Sequence, residues 1–257
     1  MIEKMKAIGM VAVAVALWAL CAQPAWAGST TVKTGANGKM KAVLMTPDGP
    51  GPYPAILLLH TSGGLQPADT DFAQRLVREG YVVLLPYYFA TYGIEARTRQ
   101  EAFTTYAQNI YADLVASLNL LRSNAKVDGT KLGAVGFSSG GYFTLWLAAT
   151  GQVQAGVSWY GAVTGAATDK SLSRFRGVFT TGSAPVLILH GDADSTVPVE
   201  KAIQLDSILT AAGSPHEFHE YSSAEHLFDR EGGSANKEAA ADAWLRTQAF
   251  FNKILKK

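Results

Sequence analysis

The sequence predicts an α/β protein: a mostly parallel, doubly wound sheet flanked by helices. Short aliphatic runs bounded by turn residues alternate with longer stretches whose apolar residues recur every three or four positions. That alternation fits parallel strands joined by helices better than an all-β or bundle arrangement. Between Gly28 and Lys257 no segment reads as an interdomain linker and no repeat is found, so residues 28–257 are read as one domain. With 48% hydrophobic residues the chain has ample material for a core.

The elements follow in order. A strand is expected at Lys41–Met45, then a continuous aliphatic strand at Ala55–Leu59. The next helix is Asp71–Glu79, with apolar residues recurring at three- and four-residue spacing. Tyr81–Leu85 is a strand closed by Pro86, followed by a long helix from about Arg99 to Arg122. Leu132–Phe137 is a strand running into a helix at Ser139–Thr150, and Ala155–Trp159 is the next strand. The remaining pairs are strand Val186–Leu189 with helix Val199–Ala212, and strand Glu217–Tyr221 with helix Lys237–Ile254. Ala162–Ser183 breaks the alternation; it is polar and glycine-containing, and reads as a cap over a site or as a surface loop.

The N-terminus has the pattern of an export signal. Lys4 and Lys6 form a basic region, Ala7–Leu20 an apolar one, and Ala25-Trp26-Ala27 a small-x-small cleavage site, so residues 1–27 are expected to be removed. The rival reading, an anchoring helix, needs roughly 20 apolar residues, more than this stretch provides. Leu20 before Cys21 also argues against lipid attachment. No stable membrane insertion is therefore expected after cleavage, and the destination is periplasmic or secreted. Cleavage takes away Cys21, the only cysteine, so no internal disulfide can form in the mature chain. It also leaves 20 basic and 20 acidic residues, with no basic stripe for nucleic acid and no Cys/His spacing for a metal. A small neutral or weakly anionic ligand fits this balance.

The most informative segment is Gly136-Phe-Ser-Ser-Gly-Gly141 between a strand and a helix, the pattern of a nucleophile elbow presenting Ser138. A serine hydroxyl needs a base, and the base needs an acid to orient it. After the strand Val186–Leu189 come Asp192 and Asp194; Asp194 is preferred, with Asp192 close enough to compete. Of five histidines, His216 and His219 lie in or beside a strand, and His60 and His190 end strands where they support loops. His226 follows the last strand, completing the order Ser138, Asp194, His226 of the α/β-hydrolase arrangement. The oxyanion hole is expected from the amide of Ser139 and one in His60-Thr-Ser-Gly-Gly64, Ser62 being preferred and Thr61 next.

From Ala55 onward the chain resembles the dienelactone hydrolase family of α/β-hydrolases. The segments that carry the likeness are Gly64-Leu65, Gly80-Tyr-Val-Val-Leu-Leu-Pro86, the elbow, Asp194-Ser-Thr-Val-Pro198 and His226-Leu-Phe-Asp-Arg230. The resemblance implies cofactor-free hydrolysis of small esters or lactones, with Ser138, Asp194 and His226 on the triad positions. Two departures stand out. The founding enzymes have a cysteine where this chain has Ser138 and a controlling glutamate where Thr61 falls, which points to a conventional serine esterase. They also hold a substrate carboxylate with two arginines; Arg230 matches one, while Thr91 falls at the other. Arg230 can instead be a solvated partner of Asp229 or Glu231. Phe89, Trp159 and Tyr160, with Tyr88, follow strands and either line an apolar substrate pocket or pack in the core.

The reading is an exported hydrolase of a small carboxylic ester or lactone. Two alternatives keep the same fold: a prolyl-peptidase-like or other acyl-transfer enzyme, and a ligand-binding protein without catalysis.

Overall fold

The computed structural model describes residues 28–161, 170–230 and 232–257. The expected signal segment, and residues 162–169 of the expected cap, lie outside the described residues. Among the described residues eight strands form one sheet: β1 (Ser29–Thr34), β2 (Met40–Met45), β3 (Tyr53–Leu59), β4 (Val82–Pro86), β5 (Val127–Phe137), β6 (Ala155–Trp159), β7 (Val186–Gly191) and β8 (His216–Tyr221). The α-helices described with them are α1 (Pro67–Arg78), α2 (Ala107–Arg122), α3 (Ser139–Ala149), α4 (Lys170–Phe175), α5 (Val199–Ala211) and α6 (Ser234–Leu255).

The strand order is β1-β2-β4-β3-β5-β6-β7-β8. From β4 to β8 the pairing is parallel, while β1 and β2 join as antiparallel strands at one edge. Parallel strands are buried on both faces, and their period of two sorts the side chains. Ile56, Leu58, Val135, Phe137, Leu187 and Leu189 pack with Phe72 and Leu76 of α1 and Trp244 and Phe251 of α6. Ala55, Leu57, Leu59, Leu132, Ala134, Val186 and Ile188 pack on the other face with residues of α2, α3 and α5.

This winding positions the site. The chain leaves β3 through α1 on one face, returns through β4, and crosses by α2 on the other face to reach β5. β3 and β5 are neighbours, so the loops leaving them diverge to opposite faces, and a crevice opens above their C-terminal ends.

Three differences from the sequence reading have local causes. The long helix expected from Arg99 is broken: a 3-10 helix spans Ala96–Phe103, and α2 starts only at Ala107. Ala102 and Phe103 turn into the core, and Thr104 between the two helices leaves helical geometry at φ −122°, ψ −83°. The added strand β1 is Thr-rich and carries few apolar side chains, so it has no hydrophobic run to read; pairing with β2 makes it a strand. The added helix α4 is short, and its Phe175 packs on Tyr142 and Trp146 of α3.

Candidate active site

Ser138 sits between β5 and α3 with φ +50° and ψ −111°, a conformation an L-residue adopts only under constraint. The constraint is close packing of glycines. A side chain at Gly140 would place its Cβ 2.2 Å from the Leu59 carbonyl oxygen, and one at Gly136 would lie 2.2 Å from the Gly140 backbone. With no side chains there, the start of α3 presses onto the end of β3 and the turn is forced sharp. The amide of Ser138 donates to the Trp159 carbonyl (3.0 Å), tying the elbow to β6.

The Oγ of Ser138 lies 3.1 Å from Nε2 of His226, and Nδ1 of His226 lies 2.7 Å from Oδ2 of Asp194. A carboxylate only accepts, so Nδ1 carries the ring proton and Nε2 is left free to accept from the serine hydroxyl. Asp194 is held from several sides. Its Oδ1 accepts from the amides of Thr196 (2.9 Å) and Val197 (2.7 Å), and His190 Nε2 is 3.3 Å from Oδ2 while donating to the Val197 carbonyl (2.8 Å). Burial works against the Asp194 charge, but the hydrogen bonds from His190, His226 and Val197 outweigh it and hold the carboxyl well below the usual carboxylate range. Asp192 is used differently. Its Oδ1 accepts from the amide of Ser223 (2.6 Å), stitching the loop after β7 to the loop after β8.

Gly191 lets those loops meet, since a Cβ there would lie 2.1 Å from the Ala224 carbonyl oxygen. That approach carries His226 over Asp194. On the oxyanion side, the amides of Gly63 and Gly64 are engaged by the Thr61 hydroxyl and carbonyl (3.2 Å each), and among the described residues none accepts from the amide of Ser62 or Thr61. Ser139 opens α3, where the first amides have no carbonyl within the helix to pair with. His60 supports this turn: its Nδ1 donates to the Thr61 carbonyl (2.6 Å) and its ring stacks on Tyr88 at 4.2 Å. Burial, opposed by that backbone bond and assisted by nearby Arg230, lowers the His60 pKa to about 4, so the ring is neutral.

Three residues read as lining a substrate pocket or packing in the core are buried in the structure. Trp159 is 1% exposed, its indole donates to Thr247 (3.1 Å), and its ring packs on Phe72 and Phe228 in the core. The period of two sends it to the α1/α6 face, away from the elbow. Phe89 is equally buried, edge-on to His60 and Tyr88. Tyr160 sets its ring edge against His226 at 4.9 Å, and its buried hydroxyl donates to Asp229. Arg230 is not solvated. Its side chain is 7% exposed, bound to Asp229 through Nε (3.1 Å) and Nη2 (2.8 Å) and to Asp69 through Nη2 (3.3 Å). Asp69 was not among the residues singled out from the sequence. Its only local mark is a capping box with Gln66, whose amide it accepts at 2.8 Å.

A strand-end serine on a sharp turn, facing a histidine and a buried aspartate in this chain order, directs the comparison to one family. The sequence profile of the dienelactone hydrolase family matches residues 40–255. The chain belongs to that family. A Methylorubrum extorquens relative, which carries the inferred name carboxymethylenebutenolidase, is 31% identical over 91% of this chain and 88% of its own. A Klebsiella pneumoniae structure ascribed to dienelactone hydrolase superposes with a TM-score of 0.72 at 26% identity, covering 88% of this chain and 98% of the other. A thermophilic esterase from Thermogutta terrifontis shares the fold, with a TM-score of 0.67 at 19% identity over 89% of this chain and 94% of the esterase. As a member of the dienelactone hydrolase family, the chain is a carboxylic ester hydrolase, and among its described residues no group of three or more His, Cys, Asp or Glu could hold a metal ion.

Proposed function

We propose that the protein is an exported serine esterase that cleaves a small carboxylic ester or lactone through an acyl-enzyme. The observation that carries the reading is the hydrogen-bonded line from Ser138 through His226 to Asp194, at 3.1 and 2.7 Å. Ser138 Oγ attacks the carbonyl carbon as His226 Nε2 takes its proton, and Asp194 stabilises the imidazolium. The amides of Ser139 and Ser62 receive the oxyanion. As the tetrahedral intermediate collapses, the proton passes from His226 to the leaving alkoxide, and the acyl group stays on Ser138. Water then gives a proton to His226, attacks the acyl carbon, and releases the acid and the free serine.

Export is supported by the basic, apolar and small-x-small order of residues 4–27. Thr61 and Ser138, in place of a glutamate and a thiol, support ordinary serine chemistry. A fluorophosphonate probe tests the nucleophile and the processing together. Probe-labelled protein from cells should have the intact mass of a chain beginning at Gly28, and Ser138→Ala should neither label nor hydrolyse esters. Labelling that survives in Ser138→Ala refutes the nucleophile; a mass that retains residues 1–27 refutes the cleavage.

A further inference from the structure

Arg230 is the natural candidate to grip a carboxylate-bearing substrate, yet its surroundings point elsewhere. Both partner carboxylates are on the protein and buried: the side chain of Asp69 is 0% exposed and that of Asp229 8%. Each comes from a different part of the fold. Asp69 is in the first turn of α1, and Asp229 lies three residues past His226. The guanidinium carbon sits 5.1 Å from the centroid of Phe137, the residue directly before Ser138. Asp229 also accepts from the hydroxyl of Tyr160, whose ring bears on His226.

The backbone around these contacts is held in uncommon conformations. Tyr160 has φ +37° and Leu227, next to His226, has φ +60°. Such residues persist only where their surroundings over-determine them. The amide of Arg230 donates to the Leu227 carbonyl (3.0 Å), closing a turn whose first residue adjoins the histidine. A buried guanidinium released from its carboxylates would leave uncompensated charges in a low-dielectric region, so the arrangement resists opening. An incoming carboxylate would meet two anions already paired with one cation.

Resting on the reading of Ser138 and His226 as catalytic, we propose that Asp69, Arg230, Asp229 and Tyr160 form a lock that positions His226 over Ser138, and that Arg230 is a positioning residue and not the binder of a substrate carboxylate. The lock ties α1, the end of β5, the end of β6 and the loop after β8 around the imidazole. One feature favours the rival role. Nη1 of Arg230 is buried and has no partner among the described residues, so a substrate acceptor could reach for it.

The test compares a neutral p-nitrophenyl acyl ester with one whose acyl chain ends in a carboxylate, in wild type, Tyr160→Phe, Asp229→Asn and Arg230→Met. A loosened histidine lowers kcat for both esters alike, by roughly ten- to a hundredfold, with KM little changed. A substrate clamp does the opposite: Arg230→Met raises KM for the anionic ester alone and leaves the neutral ester untouched. That result, or unchanged kcat in both Tyr160→Phe and Asp229→Asn, overturns the lock. Tyr160→Phe removes one hydroxyl and keeps the ring, so it remains decisive if Arg230→Met does not fold. Loss of fluorophosphonate labelling in Ser138→Ala is measured in parallel, which separates failure of the lock from failure of the nucleophile assignment.

Discussion

Two buried acidic centres flank His226 and are built on different principles. Asp194 is held by several separate groups: two backbone amides of its own loop and the rings of His226 and His190. Asp69 and Asp229 are held by a single guanidinium that bridges distant elements. The first centre is assembled mainly within one loop, its amides fixed by the turn, and keeps one carboxylate ionised beside the histidine. The second depends on long-range packing and aims a ring. Charge for the imidazole is supplied locally, and orientation is supplied globally.

Removing the charge from the local centre is expected to do the most damage. Asp194→Asn keeps the shape but offers Nδ1 a donor in place of an acceptor, which favours the wrong tautomer of His226. Loss of kcat should be on the order of 10⁴-fold in ester hydrolysis. A loss of less than about tenfold would show that the lock alone suffices to hold the imidazole.

Acid should act on the buried imidazole of His60, near Arg230 of the second centre. His60 is neutral when folded, with a pKa of about 4, against about 6.5 in an unfolded chain. Between those values the unfolded state binds the extra proton. The stability associated with neutral His60 is therefore complete above about pH 6.5 and falls as pH drops toward 4, by roughly 3 kcal/mol in total. Urea unfolding from pH 7 to pH 4 measures this, and His60→Phe should flatten that part of the curve. An equally steep decline in the variant would assign the acid sensitivity elsewhere.

The smallest effect is expected at Asp192, two residues from the charge that matters. Asp192→Asn retains an oxygen for the Ser223 amide, so kcat should stay within about twofold and stability within about 0.5 kcal/mol. A loss of activity approaching that of Asp194→Asn would erase the distinction between the two aspartates.

Legibility in the sequence follows the same division. The elbow is read from Gly136 to Gly141 because strand, turn and helix lie in one continuous segment. β6 is recovered at its observed bounds, Ala155–Trp159, because a doubly buried strand is an uninterrupted apolar run. β1 escapes notice because an edge strand such as Ser-Thr-Thr-Val-Lys-Thr needs no such run. Trp159 is left open between pocket and core since one position along a strand changes the face, and only the register of the whole sheet says which face holds the elbow. Asp69 looks like a helix-capping residue, because its partner is 161 residues away.

By itself the sequence determined the alternating α/β order, the strained serine turn, and the chain order of serine, aspartate and histidine. These are properties of short segments, set by hydrophobic period, glycine and turn chemistry. Tertiary structure alone decided which aspartate meets the histidine, that Trp159 and Phe89 are core, and that Arg230 is enclosed by Asp69 and Asp229. Those outcomes depend on side chains from 32 to 161 residues apart converging from different elements of the fold, and burial there lets a few paired charges govern the geometry of His226.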